Sequence, residues 1–354
     1  MNDSTGEPLD PFAGVVGNAG VVDQLRRAAP SPLHAYLLVG SRGAGGRAHA
    51  MAFAAAVLAA GLEAQAADRV VRLALEGEHA DLTVVERRGA AISTEQADEV
   101  VRVARLRPVE GTHKVIVLDE LHLMDERVAP KLLKTIEEPP PGTVFVVLAE
   151  HITPELATIA SRCVRLELGA VTHDELVTAL VAGGASAEEA EQAARLAGGD
   201  LGRARLLVGD PAAEARRSAW RSLPDRLDGT GSAAVVAVDE LLTRIDEAQL
   251  PLDERHRVEL EDAQRRAEDF GERGSGRREL EARHRREVRR HRTDELRVGL
   301  GELARRCRDE AAAASDPRPW ITAQDEIGQV LDSLGRNANE RVALLAMAVS
   351  RPAS

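Results

Sequence analysis

A chain of 354 residues, 44% of them hydrophobic, is long enough for two or three domains and at least one sizeable core. Aromatic residues make up only 2%, so the core must be built from Ala, Val, Leu and Ile, and aromatic platforms for stacking nucleobases are excluded. A net charge of −12 excludes broad non-specific nucleic-acid binding by the isolated chain, and the two cysteines, Cys163 and Cys307, cannot form a disulfide framework or a zinc site between them.

Lys114, Lys131 and Lys134 are the only lysines. Nearly all positive charge is arginine, as expected of a GC-rich genome, so abundant arginine is not itself a functional signal. No secretory signal or membrane-spanning apolar run is apparent, and the chain reads as cytoplasmic with no membrane partner.

Residues 1–10 are polar and carry Gly and Pro, which predicts a disordered start. Five apolar runs follow: Tyr36–Val39, Leu82–Val85, Val115–Leu118, Val144–Leu148 and Val164–Leu168. Continuous runs of this length read as strands buried on both faces. Between them lie helical patterns, such as Met124, Val128, Leu132 and Ile136 at spacing four. Strands alternating with helices predict an α/β domain with a parallel sheet over residues 11–169.

Beyond it the strand pattern stops. Thr172 and Glu175 have the spacing of a capping box, and Asp200, after Gly198-Gly199, can cap a further helix. A small helical lid is expected over residues 170–210 and an all-α domain over 211–354. Within the latter, residues 253–292 hold 13 Arg against 11 Asp plus Glu, interrupted by Gly271, Gly274 and Gly276. They read either as two solvated helices joined by a glycine turn or as an arm that touches DNA or a partner. No internal repeat is apparent.

Two motifs carry chemistry. The first apolar run leads into Gly40-Ser41-Arg42-Gly43-Ala44-Gly45-Gly46-Arg47 and then a helix over about 46–60. A strand, a glycine-rich loop and a helix N-terminus are what a phosphate-binding loop requires. Gly40 and Gly45 fit its two glycines, but Gly46 stands where lysine should neutralise phosphate and Arg47 where a hydroxyl should hold Mg²⁺. Sliding the register makes Arg47 the lysine substitute, at the cost of the glycine spacing, and Ala48 still brings no hydroxyl. Backbone amides alone could cradle an anion, and a plain glycine turn is the competing reading. The second motif is the strand end Val117-Leu118-Asp119-Glu120. In a phosphate-loop ATPase the first carboxylate would hold Mg²⁺ through water and the second would polarise the attacking water. With the loop incomplete, their retention has no functional explanation at this level.

The phrase Leu132-Leu133-Lys134-Thr135-Ile136-Glu137-Glu138-Pro139-Pro140, followed by Thr143-Val144-Phe145 and by Ser161-Arg162-Cys163, resembles bacterial clamp-loader subunits. Within that AAA+ family it is most similar to the delta-prime subunits of DNA polymerase III, of actinobacterial type. Gly14-Val15-Val16-Gly17-Asn18, Arg289-Arg290-His291-Arg292 and Arg336-Asn337-Ala338-Asn339-Glu340-Arg341 extend the resemblance. It implies an AAA+ α/β core, a lid and a helical collar that helps hold a multi-subunit ring. It also implies that Arg162, flanked by Ser161 and Cys163, is an arginine finger acting in trans, the alternative being a surface arginine in a local ion pair. Gly40, Gly43, Gly45, Gly46, Arg47, Asp119 and Glu120 would then form a degenerate nucleotide site.

Implied partners are gamma/tau-type ATPase subunits, the delta subunit, the sliding clamp and primed DNA. ATP and Mg²⁺ would act at a neighbouring subunit and none would be bound productively here. The chain would be part of the DNA polymerase III holoenzyme, with no ATPase or polymerase activity of its own. The zinc-binding cysteines of many relatives are missing around Arg72–Leu82, and a lone His79 predicts no metal. Arg203 stands where related ATPases place a nucleotide-sensing arginine; beside a broken loop it reads as structural. The alternatives from other classes are an autonomous DNA-dependent ATPase and a purely structural assembly protein.

Overall fold

The computed structural model describes residues 9–88, 91–270, 275–334 and 338–349. Of residues 1–10, where disorder is expected, 1–8 lie outside them, as do the glycines Gly271 and Gly274 and Arg336-Asn337. The chain forms two units, Met1–Val208 and Gly209–Ser354.

In the first unit every apolar run becomes a strand of one parallel sheet: β1 (Ala35–Gly40), β2 (Leu82–Val85), β3 (Lys114–Leu118), β4 (Thr143–Ala149) and β5 (Val164–Leu168). The order across the sheet is β2-β3-β4-β1-β5. Side chains alternate between two apolar layers. Tyr36, Leu38, Val115, Val117, Val144 and Val146 meet α1 (Ala19–Ala28), α2 (Gly46–Ala59) and α3 (Ala64–Glu76). Leu37, Val39, Ile116, Leu118, Phe145 and Val147 meet α4 (Thr94–Ala104), α5 (Val128–Glu137) and α6 (Pro154–Ala160). Burial on both faces explains why the runs lack polar alternation. The edge strand β5 does alternate, with Arg165 and Glu167 exposed between Leu166 and Leu168. Lys114, which opens β3, is buried, and its Nζ donates to the carbonyls of Val103 and Leu106 at the end of α4. A cation there complements the negative end of the helix.

The helical face expected from Met124 onward begins only at Val128. Met124 instead forms a parallel bridge with Ile92, and the Val128 amide donates to the Asp125 carbonyl in the turn between them. Three helices close this unit: α7 (His173–Ala182), α8 (Ala187–Ala197) and α9 (Leu201–Leu207). The capping box of Thr172 and Glu175 forms, and Asp200 caps α9 by accepting from the Arg203 amide.

The second unit is all helix: α10 (Ala213–Arg221), α11 (Gly231–Ala248), α12 (Leu250–Phe270), α13 (Ser275–Ala313), α14 (Arg318–Leu334) and α15 (Glu340–Val349). Trp220, Val238, Leu241, Ile245, Leu296, Leu300, Ile327 and Leu344 lie at its apolar core, to which the described residues between Ile245 and Leu296 contribute nothing. There α12 and α13 are joined by charge instead. A pattern unnoticed in the linear sequence recurs, Arg255-His256-x-x-Glu259 and Arg283-His284-x-x-Glu287. Each glutamate receives the histidine and the arginine of the opposite helix. His256 Nε2 lies 2.7 Å and Arg255 Nη2 2.5 Å from Glu287, and His284 Nε2 lies 2.9 Å and Arg283 Nη2 2.5 Å from Glu259. The two imidazoles stack at 3.9 Å between centroids. Because a carboxylate only accepts, each Nε2 must carry the proton.

Candidate functional site

Strands β1 and β3 end at the same edge of the sheet, on either side of β4. That carboxyl-terminal edge is where open parallel sheets bind ligands. The loop after β1 is tightly built. A side chain at Gly40 would strike the Leu168 carbonyl at 2.5 Å, and one at Gly43 would strike Asp200 Cβ at 2.5 Å. Gly45 has φ of +79°, a conformation that favours glycine. Asn18 clips the loop to the segment after β5, donating to the carbonyls of Ala44 and Gly169 and accepting from the Gly169 amide at 2.8 Å. His49, fully buried in the first turns of α2, holds its Nδ1 2.9 Å from the Gly45 carbonyl. Burial pushes its pKa below the ordinary histidine value, and the carbonyls of Gly45 and Gly17 only partly offset that. Gly46 differs from the others: a side chain there would meet the Leu168 methyl at 3.5 Å, an ordinary contact. Packing therefore does not forbid a Cβ at Gly46.

Arg47 occupies the centre of the site. Its Nη1 lies 2.5 Å from Glu86 Oε1 and 3.1 Å from Asp119 Oδ2. The sheet register explains this. Val85 pairs with Leu118, so the next residues, Glu86 and Asp119, emerge side by side. Two adjacent carboxylates need a cation between them. Here the cation is the Arg47 guanidinium. Burial disfavours the charged arginine, but Glu86 and Asp119 outweigh that and hold its pKa above the ordinary value. One residue on, Glu120 has a left-handed φ of 51° and pairs with Arg87 Nε at 2.7 Å. A further acid comes close, since Asp200 lies against Gly43. The residues present do not fit a Mg²⁺–nucleotide. There is no lysine for the phosphates and no hydroxyl for the metal, and the first metal carboxylate is bonded to arginine.

The arginine turn lies after α6. The Arg162 amide donates to the Ile159 carbonyl, so the turn is locally closed. Its side chain is half-exposed. Nε pairs with Glu137, and Nη1 donates to the Thr158 carbonyl at 2.8 Å and to Ser161 Oγ at 2.9 Å. Cys163 packs against the α4/α5/α6 layer, and burial pushes its thiol up to about 12, so it is no nucleophile. Ser161 Oγ also donates to the Thr158 carbonyl, which fixes the turn.

Of the remaining expected residues, Arg203 points its Nε at the Leu196 carbonyl, 3.4 Å away within the lid. His79 is buried, and its Nδ1 accepts from the Asp81 amide. Among the described residues no group of three or more His, Cys, Asp or Glu is placed to hold a metal ion, and no helix is long and apolar enough to cross a membrane. Linear reading missed Glu86, Arg87 and Glu137 as partners. For Glu86 a signal was there to find: a carboxylate follows β2 as Asp119 follows β3, and neighbouring parallel strands bring such positions together.

Residues 19–172 match the family described as DNA polymerase III, delta subunit. The chain is 33% identical over 144 residues to the DNA polymerase III subunit delta' of Pseudomonas aeruginosa, covering 37% of this chain and 42% of that one. To the tau/gamma subunit of Haemophilus influenzae it is 28% identical over 170 residues, 47% of this chain and 25% of that one. The matches thus span less than half the length of these relatives. A solved DNA polymerase III gamma subunit-related protein from Thermotoga maritima covers 93% of this chain and 99% of its own at 16% identity, with a TM-score of 0.45. Over residues 19–172, then, the α/β domain is similar to the DNA polymerase III delta-subunit family and to delta' and tau/gamma subunits of that polymerase.

Proposed function

We propose that the chain is the non-hydrolysing, delta-prime-type subunit of a clamp loader, and that it presents Arg162 to ATP bound by a neighbouring gamma/tau-type subunit. The observation that carries this reading is the contrast between two arginines. Arg47 closes the chain's own site on Glu86 and Asp119. Arg162 stands half-exposed on a fixed turn. A chain built this way has no place for the charge of a triphosphate but can offer a cation outward. Arg162 would stabilise the charge that spreads over the transferred phosphoryl group, the task for which a guanidinium fork is suited. Asp119 and Glu120 then need no catalytic duty, because their partners are Arg47 and Arg87.

In this reading ATP and Mg²⁺ belong to the neighbour, and the sliding clamp, the delta subunit and primed DNA are partners of the whole assembly. The pairing of Arg47 with two carboxylates also speaks against an autonomous ATPase in which Arg47 replaces lysine. The test is an assembly with tau/gamma-type ATPase subunits and delta, carrying Arg162→Ala in this chain. DNA-stimulated ATP hydrolysis should fall at least tenfold, on the scale of arginine-finger losses of about 10³ or more per site. An unchanged rate would remove Arg162 from the mechanism.

A further inference from the structure

The phrase that carries the family resemblance contains Glu137, and this carboxylate has a partner. Glu137 is the last residue of α5, and its carboxylate meets Arg162 Nε across the gap to the turn after α6. Both ends of this contact are built. Val128, Leu132 and Ile136 bury α5 against the sheet. Pro139 biases Glu138 toward extended backbone, and Pro140 and Pro141 bar the helix from continuing, so α5 stops where Glu137 faces the turn. On the other side, Thr153 caps α6, and the Ser161 and Arg162 amides close back on Ala157 and Ile159.

The bonding is asymmetric across the guanidinium. Nε is taken by Glu137, and the two N–H groups of Nη1 by the Thr158 carbonyl and Ser161 Oγ. Three of the five donors of an arginine, at Nε and Nη1, are therefore committed to this chain. The Nη2 end is left to meet an anion from outside. Without Glu137 the long side chain would regain rotamer freedom, and that entropy would have to be lost again at each encounter with the neighbour's phosphate.

We infer that Glu137 is a positioning residue for Arg162: it holds the guanidinium at Nε while the turn holds Nη1, so that Nη2 is presented to an oxyanion across the subunit interface. The inference rests on the reading of Arg162 given above. It explains why a carboxylate stands at the end of α5 just before three prolines, which an ordinary helix stop does not require.

The experiment uses the assembly with tau/gamma-type ATPase subunits and delta, in four versions: Glu137→Ala, Glu137→Gln, Arg162→Ala and the double alanine variant. Unchanged melting temperature of each variant chain and unchanged assembly by gel filtration exclude misfolding. Glu137→Ala should lower kcat for ATP roughly tenfold, the cost of a misplaced catalytic group, with KM unchanged. Glu137→Gln keeps an oxygen that can accept from Nε and should recover most of the rate. The double variant should be no slower than Arg162→Ala alone. A wild-type rate in Glu137→Ala alongside a slow Arg162→Ala would overturn the role of Glu137 and leave the finger standing. Additive losses in the double variant would also overturn it, by showing that Glu137 acts elsewhere. A wild-type rate in Arg162→Ala would overturn both readings.

Discussion

Arg47 touches both Glu86 and Asp119, and removing it takes away a cation shared by two adjacent carboxylates. Arg47→Ala should therefore lower the melting temperature. The side chain is only half-buried, so the loss should be about 1 kcal/mol, in the range of exposed ion pairs, and should shrink as salt screens the repulsion. Thermal denaturation at two ionic strengths checks this; a variant as stable as the parent at low salt would contradict it. Two other residues set the response to acid. Asp81 accepts from the amides of Val109, Glu110 and Gly111. Burial alone would raise its pKa, but these bonds outweigh burial and hold it below the ordinary carboxylate value. His49 is also depressed, by burial. Both folded-state values lie below the unfolded ones, so both contributions are full above the unfolded pKa and are lost as pH falls. Stability should begin to drop below about pH 6.5 through His49 and again below about 4 through Asp81. Asp81→Asn should cost about 1–3 kcal/mol near pH 7, because an amide cannot accept from three N–H groups with its single oxygen. Denaturant titrations at several pH values should show the Asn variant and its parent converging in acid.

Among the elements, two helix contacts make sharp expectations. A side chain at Gly299 in α13 would lie 2.1 Å from the Trp220 ring of α10, inside the second unit's core. Gly299→Ala should destabilise this unit by about 3 kcal/mol, at the upper end of overpacking costs, even though alanine favours helix. A rise in melting temperature would refute that packing. The pair α12 and α13 should respond to charge instead. Glu259→Gln with Glu287→Gln removes the carboxylates that receive both His–Arg pairs. Hydrogen exchange should then quicken in residues 253–265 and 280–290 and stay unchanged at Leu296–Cys307, whose core contacts are apolar. The Arg-rich segment at 289–292 is tied inward as well. Arg292 pairs with Glu340 of α15 and Asp246 of α11, and His291 Nε2 lies 3.1 Å from the Ala248 carbonyl.

For the molecule as a whole, legibility tracked burial. The central strands β1, β3 and β4 could be read because Val- and Leu-rich runs buried on both faces leave no alternation to confuse the pattern. Thr172, Glu175 and Asp200 could be read because caps are local. Met124 was misplaced because helical spacing carried on through a turn that only the bridge to Ile92 reveals. The loss of lysine from the loop was plain in the sequence, but the role of Asp119 was not. That role depends on Glu86 lying beside it across a strand register and on Arg47 reaching both. The His256–His284 contact was hidden for a similar reason, since its pattern is shared between two helices. What emerges is a parallel sheet at whose carboxyl-terminal edge Glu86 and Asp119 share the chain's own Arg47. The central claim is that this site takes no nucleotide. Isothermal titration of the isolated chain with ATP and Mg²⁺ tests it most directly. The account predicts no saturable binding at micromolar nucleotide; tight, magnesium-dependent binding would contradict it.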